Sequence, residues 1–126
     1  MSITDLVIRL KNGYMSKKES ITVPYSKYRI SVLQKLKELN YISSFDFEGD
    51  VIKIITVQLR YDHGEAAITD VKIFSKPGRR WYTPYKEIRP VLGGMGKVIL
   101  SSSKGIITDK EAKKERVGGE LLFHIW

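Results

Sequence analysis

Cysteine is absent from this 126-residue sequence, which excludes disulfides and thiolate metal sites and fits a cytosolic protein. Histidine is scarce. His63 falls in a polar loop and His124 in an apolar terminal strand, and neither neighbours the carboxylates or ligands that mark a metal or acid/base site. Long apolar runs are missing as well: none approaches the roughly 18 residues that a membrane span requires, and no signal-peptide pattern opens the chain. The glycines at Gly93, Gly94 and Gly96 follow neither the dinucleotide spacing nor the Walker pattern, and read as a turn that needs positive φ. No G-x-S-x-G elbow surrounds the serines at Ser101, Ser102 and Ser103. A serine hydrolase therefore requires a histidine and a carboxylate to meet one of these hydroxyls in space. The chain reads as a non-enzyme with no catalytic residue, cofactor, metal, small-molecule substrate or membrane partner.

Positive charge is abundant and unevenly placed. Lys and Arg number 22 against 14 Asp and Glu, a net charge of +8. Lys76 to Arg116 carries 11 basic and 4 acidic residues, whereas Ile30 to Ser75 carries 5 and 7. A basic balance confined to one part of a small chain is the footprint of a polyanion ligand, since each neutralised phosphate releases counterions. With 42% hydrophobic residues the chain has enough apolar material for real cores.

Ile3, Leu6, Val7, Leu10 and Tyr14 recur at helical spacing, predicting an amphipathic helix from about Thr4 to Met15. Ser20 to Val23 alternates as a strand that Pro24 stops. Ser26 is read as the N-cap of a second helix that turns Tyr28, Val32, Leu33, Leu36 and Leu39 inward, and Asn40 as its left-handed terminator. Tyr41 to Glu48 and Val51 to Tyr61 read as a hairpin around a tight turn at Gly49-Asp50. Within the second strand the apolar parity shifts after Ile54, which predicts a bulge or burial on both faces. The polar stretch Asp62-His63-Gly64-Glu65 marks a domain boundary, separating residues 1–64 from 65–126. Beyond it, Ile68 to Phe74 and Arg79 to Thr83 read as strands around a turn at Lys76-Pro77-Gly78. Tyr85 to Leu92 reads as one helical turn, Lys97 to Leu100 as a buried strand, and Glu120 to Trp126 as a last strand. The fold class is α+β: an N-terminal α-β-α-β-β unit, then a mostly β C-terminal domain with one short basic helix.

That basic helix organises the C-terminal half. Thr108 can cap it while Glu111, three residues on, reaches back to the cap, and the helix carries Lys113 and Lys114. Just before it stand three hydroxyls, Ser101, Ser102 and Ser103, then Lys104 and Gly105. Serine hydroxyls donate and accept, and they reach into the wide minor groove of A-form RNA, where 2′-hydroxyls and base edges are displayed. Lys76, Arg79 and Arg80 surround the Pro-Gly turn and precede Trp81 and Tyr82, placing cations for phosphates beside rings that stack on bases. Alternation sends Tyr82 outward with Arg80 and Trp81 into the core.

The run L-S-S-S-K-G-I-I-T-D-K-E-A-K-K, followed by V-G-G-E and an apolar strand, resembles the signature region of the small-subunit ribosomal protein eight family. The similarity extends to Ile3-Thr4-Asp5 through Lys11-Asn12-Gly13, to Val23-Pro24-Tyr25-Ser26-Lys27, to Ser75-Lys76-Pro77-Gly78-Arg79-Arg80-Trp81-Tyr82, and to Gly93-Gly94-Met95-Gly96. It implies two small α/β domains and a primary rRNA-binding protein of the small ribosomal subunit, cytoplasmic or organellar. Its partners would be a helix in the central domain of the small-subunit rRNA and neighbouring small-subunit ribosomal proteins. It further implies that Ser101, Ser102, Ser103, Lys104, Tyr82, Gly118, Gly119 and Glu120 contact RNA, joined by Lys11, Asn12 and Lys27 from the first domain. Ser102 stands where the family usually has threonine, which keeps a hydroxyl and loses a methyl.

Overall fold

In the computed structural model, residues 3–88 and 96–126 are described. The chain divides into two units, residues 3–69 and 70–126, each with its own antiparallel sheet.

In the first unit, α1 (Ile3–Met15) buries Leu6, Val7, Leu10 and Tyr14 along one stripe, as the helical spacing predicts. The chain leaves it through Lys17 at φ 56° and enters β1 (Ser20–Pro24). Helix α2 (Lys27–Glu38) starts at Ser26, whose side chain accepts from the Arg29 amide at 3.0 Å, and Asn40 takes the left-handed conformation at φ 65°. Tyr28, expected inside, is exposed, whereas Arg29 is buried with Val32, Leu33 and Leu36. Its guanidinium donates to the Pro24 carbonyl at 2.8 Å, which offsets part of the cost of burial although Nε is enclosed without a hydrogen bond, while its stem packs as an apolar group.

Strand β2 (Ser44–Glu48) is shorter than the alternation suggests, and it pairs with β3 (Ile54–Gln58), which also pairs with β1. Between β2 and β3 runs a five-residue loop, 49–53, instead of a two-residue turn. Val51 and Ile52 lie in this loop and are exposed, so the shift in apolar parity marks the loop's end and neither a bulge nor a doubly buried strand. Gly49 is needed there: its φ is +121° and a Cβ would strike the Ile52 carbonyl. Tyr61, read as part of β3, opens a separate ribbon of β4 (Tyr61–Asp62) and β5 (Glu65–Ala66) around a His63-Gly64 turn with both φ values positive.

The second unit is built on β10 (Gly119–Ile125). On one side of it lies β8 (Lys97–Ser102), and beyond that β9 (Gly105–Thr108). On the other side lie β6 (Val71–Ile73) and β7 (Tyr82–Thr83), both paired with β10 at different points along its length. The expected hairpin between residues 68–74 and 79–83 is therefore replaced by two short segments sharing one edge. Only Lys76 and Arg79 bridge each other, across a Pro77-Gly78 turn with Gly78 at φ 80°. Tyr85–Glu87 forms a single 3₁₀ turn; the rest of the helical turn read at Tyr85 to Leu92, apart from Ile88, and the glycine turn through Met95 lie outside the described residues. Strand β9, absent from the sequence reading, leads directly into α3 (Asp109–Glu115). Val98, Leu100, Ile107 and Ala112 form the core on one face of the sheet, joined by Phe74 and Leu121. Ile99, Phe123 and Ile125 are buried on the other.

Candidate nucleic-acid interface

Cross-strand register brings three of the predicted residues into one row. Glu120 of β10 pairs with Tyr82 of β7 on one side and with Ser101 of β8 on the other. Directly paired residues in an antiparallel sheet share a face, so these three side chains stand abreast. Tyr82 is 69% exposed. The Glu120 carboxylate is largely covered and accepts from the Arg80 guanidinium at 3.2 Å. A carboxylate in the middle of a cationic surface repels phosphate and accepts from hydroxyls and amino groups, so the row presents acceptors and donors suited to sugar and base edges.

The row depends on close strand approach at two glycines. A Cβ on Gly119 would strike the Ser101 carbonyl, and one on Gly118 the Thr83 carbonyl. Both positions are expected from the family resemblance to touch RNA; what the structure places against them is the backbone of the neighbouring strands.

The serine run turns out to be divided in its tasks. Ser103 and Lys104 form the β8–β9 turn without positive φ, and Gly105 takes it at +100°, the pattern of a type I turn followed by a glycine bulge. Ser102 locks this turn: its hydroxyl donates to the Gly105 carbonyl at 3.0 Å and accepts from the Lys104 amide at 3.1 Å. The hydroxyls of Ser101 and Ser103 and the ammonium of Lys104 make no side-chain hydrogen bond to a described residue. None of the three serines is hydrogen-bonded to either histidine; His124 packs against Trp126 with ring centroids 4.6 Å apart and planes tilted by 37°.

Behind the turn, α3 is seated by the predicted capping box. Thr108 Oγ1 accepts from the Glu111 amide at 3.3 Å and a Glu111 carboxylate oxygen accepts from the Thr108 amide at 3.1 Å. Asp109 ties the same end to β8 by accepting from the Val98 amide at 3.3 Å. Lys113 and Lys114 are exposed on this helix, and Lys76 and Arg79 on the Pro-Gly turn. Trp81, expected in the core, is half exposed. Its amide donates to Ser75 Oγ at 2.9 Å and its carbonyl accepts from the Leu121 amide at 2.8 Å, so the segment runs along the rim of the sheet, where neither of two successive side chains is covered.

Lys11, Asn12 and Lys27 belong to the first unit. Asn12 lines a groove of about 440 Å³ between α1 and β1 with Arg9, Ser16, Lys18, Ser20 and Thr22. Arg9 lies one helical turn before Asn12 on the solvent side of α1, but no local pattern announces that β1 folds beside them and brings Lys18 to the same groove. Lys27 is the exposed first residue of α2. Near this groove Tyr14 holds the unit together, donating to the Tyr41 carbonyl at 2.6 Å and accepting from the Arg60 amide at 3.0 Å. Burial pushes its hydroxyl above the ordinary tyrosine pKa, only partly offset by the Arg60 amide.

Among the described residues no helix is long and apolar enough to cross a membrane. Residues 2–126 match the family described as Ribosomal protein S8. The chain is 43% identical over 125 residues to the small ribosomal subunit protein uS8 of Mycoplasmopsis pulmonis, covering 98% of this chain and 95% of that protein. It is 46% identical over 125 residues to uS8 of Dictyoglomus thermophilum with the same coverage, and 40% identical over 123 residues to that of Pseudoalteromonas atlantica, again covering 98% and 95%.

Proposed function

The chain belongs to the ribosomal protein S8 family, and we propose that it binds a helix in the central domain of 16S-type small-subunit rRNA, chiefly through residues 65–126, and supports early assembly of the subunit. As a member of that family it is a structural constituent of the small ribosomal subunit and an rRNA-binding protein, in a family that is not an enzyme family. It resides in the ribosome with rRNA and other ribosomal proteins as partners; we place that ribosome in the cytoplasm.

The observation that carries the reading is the row of Tyr82, Glu120 and Ser101 across three neighbouring strands, beside a turn that presents Ser103 and Lys104. The sheet fixes the row and the Ser102 hydroxyl fixes the turn, so their hydrogen bonds to 2′-hydroxyls and base edges lose little further entropy on binding. Lys76, Arg79, Lys113 and Lys114 add the sequence-independent attraction for phosphates.

The test is a pair of salt titrations by filter binding, on small-subunit rRNA and on unrelated duplex RNA, comparing the parent with Ser101→Ala/Ser103→Ala. Each lost hydroxyl contact is worth about 0.5 to 1.5 kcal/mol. The double variant should weaken binding to the rRNA, leave the duplex affinity almost unchanged and keep the salt slope, because no charge is removed. Equal losses on both RNAs would mean that the serines only seat the backbone.

A further inference from the structure

We propose that Trp81 is a stacking platform for an unpaired RNA base, forming a second contact on the sheet face opposite the Tyr82, Glu120 and Ser101 row. The inference rests on the reading that this chain binds rRNA, but on different residues. Successive side chains of an extended segment point to opposite faces, so Trp81 cannot share the face of Tyr82. It meets Phe74 edge to face, with ring centroids 5.8 Å apart and planes at 75°. Phe74 and Leu121, the residue whose amide Trp81 accepts from, both pack on the core cluster of that same opposite face.

An indole needed only to close this core at its rim would be mostly covered, yet 51% of Trp81 is exposed. Its backbone is clamped on both sides, by Ser75 Oγ at its amide and by Leu121 at its carbonyl. The ring is therefore presented from a fixed backbone, and binding to it costs little ordering. The surroundings select the ligand. Lys72 lies over the Phe74 ring at 5.8 Å, and Lys76 and Arg79 stand exposed on the turn just before Trp81. An aromatic face flanked by cations suits a base with its phosphates, and stacking needs a base released from pairing, because in a duplex both faces of a base are already stacked. Trp81 thus takes a bulged, looped or terminal nucleotide, whereas the serine row addresses a groove edge.

The chain has two tryptophans, so Trp126→Phe, which keeps an aromatic ring beside His124, leaves Trp81 as the only reporter. Its emission is followed during titration with small-subunit rRNA, with a short single-stranded oligoadenylate and with a fully paired RNA duplex, while filter binding measures affinity in parallel. Quenching by the rRNA and the oligoadenylate but not by the duplex is expected. In the otherwise native chain, Trp81→Leu should lose about tenfold in rRNA affinity with its thermal midpoint unchanged, and Trp81→Phe should retain part of that affinity. Tight rRNA binding with unchanged emission, or full affinity in Trp81→Leu, overturns the platform and leaves the proposed function standing. Emission that responds only when other small-subunit proteins are added would make Trp81 a protein contact and also overturn it. Loss of all rRNA binding by the native chain would remove both readings together.

Discussion

The two units are built alike and use their polar groups differently. Each is built around a strand paired on both sides, β3 in the first and β10 in the second, where β8 is likewise paired with β10 and β9. In the first unit polar side chains beside the core bond within it: Tyr14 to Tyr41 and Arg60, one guanidinium nitrogen of Arg29 to Pro24, and Arg9 to Thr22 at 3.0 Å. In the second, Tyr82, Ser101, Ser103 and Lys104 stand along a sheet face and a turn with no side-chain hydrogen bond to a described residue. A polar group with an internal partner contributes to folding; one left at the surface without a partner contributes nothing there and is ready for a ligand. The same residue types thus stabilise one unit and equip the other.

Gly119 offers the sharpest way to break this contrast. A Cβ there meets the Ser101 carbonyl in the middle of the row, so Gly119→Ala should destabilise the protein by on the order of 3 kcal/mol and remove rRNA binding with it. Gly64 in the first unit has positive φ but open space around it, and Gly64→Ala should cost only about 1 kcal/mol. Thermal unfolding of the two variants makes the comparison, and equal midpoints would show that β8 and β10 part without penalty.

Two tyrosines test the contrast next. Tyr82→Ala should cost about 1 to 3 kcal/mol of rRNA binding and almost no stability. Tyr14→Phe should do the reverse, removing about 1 to 3 kcal/mol of stability by leaving the Tyr41 carbonyl and Arg60 amide short of a partner. The Tyr14 hydroxyl has its folded pKa raised above 10.0 by burial, so the fold holds the protonated form. Its contribution is complete below pH 10 and disappears as pH rises through the raised value. Denaturant unfolding between neutral and alkaline pH should show this loss in the parent and a smaller one in Tyr14→Phe; parallel profiles would assign the alkaline loss to other groups.

Within the serine run the effects are smaller. Ser102→Ala should lose about 1 kcal/mol of stability, because it frees the turn, while Ser103→Ala leaves the melting midpoint in place. Indistinguishable melts would deny Ser102 its part in the turn. Smallest are Lys113→Gln and Lys114→Gln, each expected to make the log-log salt slope shallower by about 0.7 to 0.9 and to weaken cognate and unrelated RNA alike. A loss confined to cognate RNA would turn these lysines from positioning groups into specifying ones.

What the sequence alone determined lies within a few residues of itself: the Thr108 and Glu111 capping box, the Ser26 cap, the left-handed Asn40 and the buried stripe of α1. These follow from sterics and hydrogen bonds closed inside one turn of chain, so a short window contains every partner. Only the tertiary structure decided that β6 and β7 share one edge of β10, that Trp81 is left open, and that Glu120 stands between Tyr82 and Ser101. It also decided which serine the turn consumes, since of the three hydroxyls Ser102's is the one that faces both the Gly105 carbonyl and the Lys104 amide. Each of these is a pairing or an exposure set by strands brought together from distant parts of the chain, and one residue of register would turn every side chain of a strand to the opposite face.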